Sequence, residues 1–261
     1  KVRGAFLAGL ILLLVYWLLT YTLRDAADPY SLQGYFGTAV DKAILHEPHM
    51  YRGEGIPFDP EGLTSTLPAV VQVIFGYLVG DYIRNRTKLA AESVSSGAVA
   101  TIHPLYQILT GLFIAAMAFL LAGYAWSLSF PVNKKIWTSS YVLVTTGMAV
   151  ATLATLIYFI EIKGVRSWWT RFFDVFGKNA LFVFALSAFL PKGFRLLRIS
   201  NGVNAKGDPV YTNPWNFLYD KVYKFVPGDP KVGSLLFALT VITFMWAICY
   251  WLDKKRIYIK V

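Results

Sequence analysis

The sequence predicts an all-α fold, a polytopic transmembrane bundle with about six membrane helices. Three observations predict it. Of the 261 residues, 56% are hydrophobic and only 15% charged, with a mean hydropathy of +0.49, which leaves too little polar surface for a soluble chain of this length. Six stretches approach the ~20 apolar residues that a helix needs to cross a bilayer. Aromatic residues, 16% of the chain, gather at the ends of those stretches, where amphipathic rings anchor a span at headgroup level.

The predicted spans are Ala5–Leu23, Leu67–Ile83, Leu105–Ala125, Ile136–Ile160, Phe176–Leu190 and Gly233–Leu252. Ala5–Leu23 is an unbroken apolar run with no small-residue cleavage site after it, so it reads as a span and not as a secretory signal. Leu67–Ile83 is preceded by Asp59-Pro60-Glu61-Gly62. That tetrapeptide reads as a helix start, with Asp59 as N-cap, Pro60 at the first helical position and Glu61 favouring the positive dipole end. Its second reading is functional, with both carboxylates facing a watery mouth of the bundle, because uncompensated charge is expensive in a membrane helix. Gly76 and Gly80 place two small residues on one face, which predicts close approach by a neighbouring helix. Asp81 is spaced to pair with Arg84.

His103-Pro104 reads as the start of Leu105–Ala125. Phe176–Leu190 is short and is ended by Pro191. It is entered through Gly177-Lys178-Asn179, where a helix start beside a lysine fits either a simple cap or a phosphate site. Gly233–Leu252 contains Cys249, the one cysteine, which permits no intrachain disulfide. Lipid tolerates no unpaired backbone, so the spans are expected to pack as one domain over 1–261. No internal repeat is visible. Two long loops interrupt the spans, 24–66 and 192–232, and "NPWNFLYDKVYKF" in the second is spaced for an amphipathic helix at the interface.

With the first residue on the cytoplasmic side, thirteen Lys and Arg fall on inner segments and twelve on outer ones, which is no bias. Without the two long loops the count is thirteen against Lys134 and Lys135 alone. Short connections carry the positive-inside rule, so this orientation is adopted, although Lys192, Arg195 and Arg198 run against it. Both long loops then lie on the outer face. The net charge of +10 follows from basic helix flanks and implies no nucleic-acid partner.

The outer loop 24–66 holds seven acids, three bases and both His46 and His49. Their spacing around Glu47 invites a metal reading, but Pro48 interrupts any helix there, and no metal is expected. An exposed histidine beside acids reads as a pocket residue or a general base. The sequence contains no Walker A, G-x-G-x-x-G, G-x-S-x-G or H-E-x-x-H motif.

Four stretches, "VDKAILHEPHMY", "FDPEGLTSTLPAVVQVIFGYLVGD", "PVNKKIWTSSYVLVTTGMA" and "FGKNALFVFALSAF", resemble in order the motifs of the heparan-α-glucosaminide N-acetyltransferase family and its bacterial NagX-type relatives. The resemblance implies a larger transmembrane acyltransferase fold of about eleven helices, with about five spans before the region matching residue 5 and the main catalytic histidine among them. This chain would then be the carboxy-terminal portion. It also implies transfer of an acetyl group from cytosolic acetyl-CoA to the amine of an amino sugar or glycan on the periplasmic or lumenal side. The absence of the cysteines that staple outer loops in the lysosomal enzyme fits a bacterial inner-membrane protein. A family histidine matches His49, and the family G-M-N corresponds to Gly177-Lys178-Asn179.

Chemically, an amine attacks a thioester only when neutral, so a carboxylate or histidine must receive its proton and donors must steady the oxyanion. The expected catalytic set is His49, Asp59 and Glu61. The expected acetyl-CoA set is Lys178, Asn179, Arg84 and Lys163. Expected partners are the amino-sugar acceptor and membrane lipid, and a homodimer is one assembly open to the chain. The alternatives are an amino-sugar transporter, whose charges would sit near the bilayer midplane on discontinuous helices, and a non-catalytic membrane subunit.

Overall fold

The computed structural model describes residues 2–24, 28–95, 104–203 and 209–259. Its elements are helices α1 (Val2–Thr22), α2 (Phe36–Leu45), α3 (Thr66–Ser95), α4 (Pro104–Ser127), α5 (Ser139–Ile157), α6 (Trp168–Lys178), α7 (Ala180–Arg195), α8 (Pro214–Lys221) and α9 (Pro230–Lys254). A hairpin of β1 (Ile199–Val203) and β2 (Pro209–Thr212) completes them. Five helices are long and apolar enough to cross a membrane. They are α1, α3 to Leu89, α4, α5 with its π-helical extension to Ile162, and α9. The all-α polytopic architecture is therefore as the composition predicts.

The fifth predicted span differs. α6 and α7 meet at Asn179 with a bend of 77°, so the apolar stretch from Phe176 is no single helix. α7 begins at Ala180 and runs through Pro191 to Arg195. His103 lies outside the described residues, and α4 begins at the following Pro104.

The chain divides into two compact units, Lys1–Val165 and Arg166–Val261. In the first, α4 and α5 lie closest. A Cβ on Gly147 would come within 2.9 Å of the Ala116 carbonyl oxygen, and one on Gly123 within 2.9 Å of the Val144 nitrogen, so hydrogen is the largest side chain that either crossing admits. Gly76 and Gly80 correct the expected helix contact: a Cβ at either would meet nothing within 4 Å. The small-residue approach is made by α4 and α5 instead.

The segment "WTSS" fixes the start of α5. Thr138 caps it by accepting the Tyr141 amide at 3.3 Å. The Ser139 hydroxyl donates to the Leu13 carbonyl of α1 at 2.8 Å, and that of Ser140 to the Phe130 carbonyl at 2.5 Å. All three side chains are buried with their hydroxyls bonded, which removes the cost of placing polar groups in an apolar bundle. Trp137 just before them has φ 50°, a left-handed value uncommon for a bulky residue. Its indole N–H donates to Gln72 Oε1 at 2.9 Å, and Gln72 Nε2 donates to Thr145 at 2.8 Å. These bonds tie α3 to α5 and hold the strained residue in place.

In the second unit α6 lies along α9, with Phe172 stacked on Trp246 and its carbonyl accepting the Trp246 indole N–H at 3.2 Å. α8 forms where the sequence places an amphipathic helix. Asn213 caps it by accepting the Asn216 amide at 3.0 Å, and Trp215 packs edge-on against Phe194 of α7 and Phe237 of α9. Cys249 is buried within α9.

Candidate functional site: a carboxylate-bearing loop end

The loop end of the first unit is built on an aromatic floor. Tyr16, Tyr35, Phe36, Phe58, Phe130 and Ile136 form one buried cluster, which joins α1, α2 and the two connections that lead into α3 and α5. A hydrogen-bonded chain crosses this floor. The Tyr16 hydroxyl donates to the Ile136 carbonyl at 2.5 Å and lies 2.6 Å from the Tyr35 hydroxyl, which lies 2.7 Å from that of Thr64. Each hydroxyl has one proton. With Tyr16's proton spent on Ile136, Tyr35 must donate to Tyr16 and Thr64 to Tyr35. The chain has one polarity, and burial pushes the Tyr35 phenol above its ordinary range, which keeps it a donor.

Asp59-Pro60-Glu61-Gly62 sits above this floor as a turn. The Gly62 amide donates to the Asp59 carbonyl at 3.1 Å and the Glu61 amide to Asp59 Oδ1 at 3.1 Å, an Asx-type closure in which the side chain mimics the backbone. This corrects the expected helix start. α3 begins at Thr66, four residues beyond the motif, because Asp59 Oδ1 closes its own turn and Pro60 occupies a turn position equally suited to it. Asp59 is half-buried and Glu61 exposed.

Asp41 is the residue that the sequence reading missed. It lies on the buried face of α2 with Phe36, Gly37 and Thr38 and is 1% exposed. Its Oδ1 accepts the Leu63 amide at 3.0 Å. Its Oδ2 would stand 2.0 Å from a Cβ on Gly62, so the glycine of D-P-E-G is the surface on which this carboxylate rests. Burial raises the Asp41 pKa, the Leu63 amide partly lowers it, and the charge of Asp59 raises it again. The available signal was the helical spacing of Gly37 and Thr38 with Asp41, four and three residues on, which puts an acid on the same face as a glycine and a threonine.

His49 closes a 3-10 turn at Glu47–His49 and is exposed, as is His46, which ends α2 at φ 61°. Lys42 pairs with Glu47 at 3.0 Å. Lys135 forms an ion pair with Glu54, which brings the α4–α5 connection to the same end as the 24–66 loop. Among the described residues no group of three His, Cys, Asp or Glu could hold a metal ion.

The four residues expected at the donor substrate fall two in each unit. Arg84 and Lys163 are exposed at the opposite end of the first unit. Arg84 lies 3.7 Å from Asp81, as its spacing predicts, and Lys163 stands over the Tyr158 ring. In the second unit Lys178 bridges Asp174 at 2.8 Å and Asp253 at 3.1 Å. Asn179 is 0% exposed. Its Nδ2 donates to the Ile257 carbonyl at 3.3 Å and its Oδ1 accepts the Ile259 amide at 2.8 Å, so the residue at the helix break clamps the segment that follows α9.

No family model matches the chain. Over 156 residues, 56% of its length, it is 24% identical to the heparan-alpha-glucosaminide N-acetyltransferases of Mus musculus and Homo sapiens. The matched stretch covers 22% of the mouse protein and 21% of the human one, so this chain spans about a fifth of the curated relatives it matches. The likeness is a distant one, to N-acetyltransferases.

Proposed function

We propose that the protein takes part in acyl transfer within a membrane, moving an acetyl group from cytosolic acetyl-CoA to the amine of an amino sugar or glycan on the other side. The observation that carries this reading is the 24% identity to N-acetyltransferases over 156 residues. The chemistry of the loop end supports it. An acceptor amine must be bound and deprotonated before it attacks a thioester, and an exposed carboxylate, Glu61, stands beside a half-buried one, Asp59, at a turn fixed by Asp41. In this reading Asp59 and Glu61 orient the amine and receive its proton, while His49 supplies a titratable group at the same end of the unit. Arg84 and Lys163, exposed at the opposite end, are the bases offered to the donor's phosphates. Lys178 and Asn179 enter that role only by giving up Asp253 and the 257–259 backbone. A bacterial inner-membrane location belongs to the same proposal.

The test is incubation of the full-length protein in detergent with radiolabelled acetyl-CoA and glucosamine. Labelled N-acetyl product is expected, and Glu61→Gln should lower its rate about a hundredfold, the scale of a lost proton acceptor, with acetyl-CoA binding retained. Uptake of glucosamine by proteoliposomes without acetylation would replace the reading with transport. Equal loss of transfer and acetyl-CoA binding in Glu61→Gln would assign that residue to folding.

A further inference from the structure

At the end of the first unit opposite its loops, α1, α3 and α4 part to leave a groove of about 570 Å³. Phe6, Leu7, Phe75, Leu78, Leu112 and Phe119 are among its walls. Arg3 and Tyr82 bring the side-chain polar atoms to this lining, and the Tyr82 hydroxyl donates to the Gln107 carbonyl at 3.2 Å. Tyr82, Leu78 and Val2 continue into a second depression of about 250 Å³, where Asp81, Asn85 and Arg86 form the rim. The site therefore has a long apolar floor and a charged mouth.

The charge at that mouth is positive. Among the described residues Asp81 is the one acid lining it, and its carboxylate is engaged by Arg84 at 3.7 Å and by the Asn85 side-chain Nδ2 at 2.8 Å. Arg86 is held with its guanidinium 5.7 Å from the centre of the Tyr82 ring, and Arg3 lines the groove from α1. A guanidinium fixed by a ring beside an apolar slot is pre-organised for a phosphate diester.

We propose that this groove binds a glycerophospholipid of net negative charge, with an acyl chain against Phe75, Leu78 and Phe119 and its phosphate between Arg3 and Arg86. A coenzyme A arm fits less well, because the two amides of its pantetheine would lie along an apolar wall without partners. A zwitterionic lipid would bring a cation to a mouth that already carries an excess of cations. The proposal is independent of the acyl-transfer reading.

The test is competition between dioleoyl-phosphatidylglycerol and dioleoyl-phosphatidylcholine for the full-length protein in neutral detergent, read by native mass spectrometry. The acyl chains are identical, so the ratio retained isolates the headgroup. Phosphatidylglycerol is expected to be retained preferentially. Arg3→Gln and Arg86→Gln should each reduce that preference about fivefold, the factor set by about 1 kcal/mol per basic residue near anionic lipid. Ala115→Phe, which fills the floor without altering charge, should lower retention of both lipids alike. Equal retention of the two lipids by the parent protein overturns the proposal, as does a preference unchanged in the double arginine variant. Displacement of bound lipid by acetyl-CoA in the parent but not in Ala115→Phe would assign the groove to the thioester instead.

Discussion

Burial, and then the charge of Asp59, raise the pKa of the Asp41 carboxyl against the Leu63 amide that donates to it at 3.0 Å. A carboxyl whose pKa is higher in the folded chain than in the unfolded one binds its proton more tightly when folded. Its contribution is therefore most favourable at acid pH and declines as pH rises from the ordinary carboxylate range through the raised value. Asp41→Asn keeps an acceptor for the Leu63 amide and abolishes the titration. Measured by thermal unfolding at a fixed scan rate, the variant should gain on the parent between pH 4 and pH 7. A parent–variant gap independent of pH would contradict this account of Asp41. Gly62→Ala tests the same contact sterically. With a Cβ placed 2.0 Å from Oδ2, it should cost about 1–3 kcal/mol, and much of that loss should disappear when Asp41→Ala is added.

Among the elements, the glycines separate a sequence pattern from the contact usually read into it. Gly76 and Gly80 have the spacing of a helix-packing motif, yet both face open space. Gly123 and Gly147 have no such spacing and lie against neighbouring backbone. Gly147→Ala should therefore destabilise the protein by about 1–3 kcal/mol, whereas Gly80→Ala should be neutral or stabilise by up to about 1 kcal/mol through helix propensity. Comparing their denaturation midpoints in one detergent decides the matter. The spans themselves were legible because each is a long apolar run whose solution in lipid is a helix. Two things were not. D-P-E-G satisfies the rules for a helix cap and for an Asx turn equally, and the Leu63 amide just after it is taken by Asp41, eighteen residues before the motif. The break at Asn179 depends on residues 257 and 259, which no local pattern connects to it. Asn179→Ala should strand both backbone groups and speed hydrogen exchange at the Ile259 amide at least tenfold, the effect of losing about 1.4 kcal/mol from a bond of this class.

At the scale of the whole molecule, the apolar helices require a membrane setting, and the two ends of the first unit differ in chemistry. One presents carboxylates, His49 and the Lys135–Glu54 pair, and the other presents Arg3, Arg84, Arg86 and Lys163. The basic end was legible in the Lys and Arg of the short connections, and the acidic end in the seven acids of the 24–66 loop. Acyl transfer across the membrane is the function proposed to exploit it. Its most direct measurement uses sealed proteoliposomes carrying the full-length protein, with radiolabelled acetyl-CoA outside and glucosamine trapped inside. Labelled N-acetylglucosamine should accumulate in the lumen, with no glucosamine escaping before the reaction and no label transferred when the acceptor is omitted. Product that forms only when donor and acceptor share one compartment, or no product at all under either arrangement, would contradict the account.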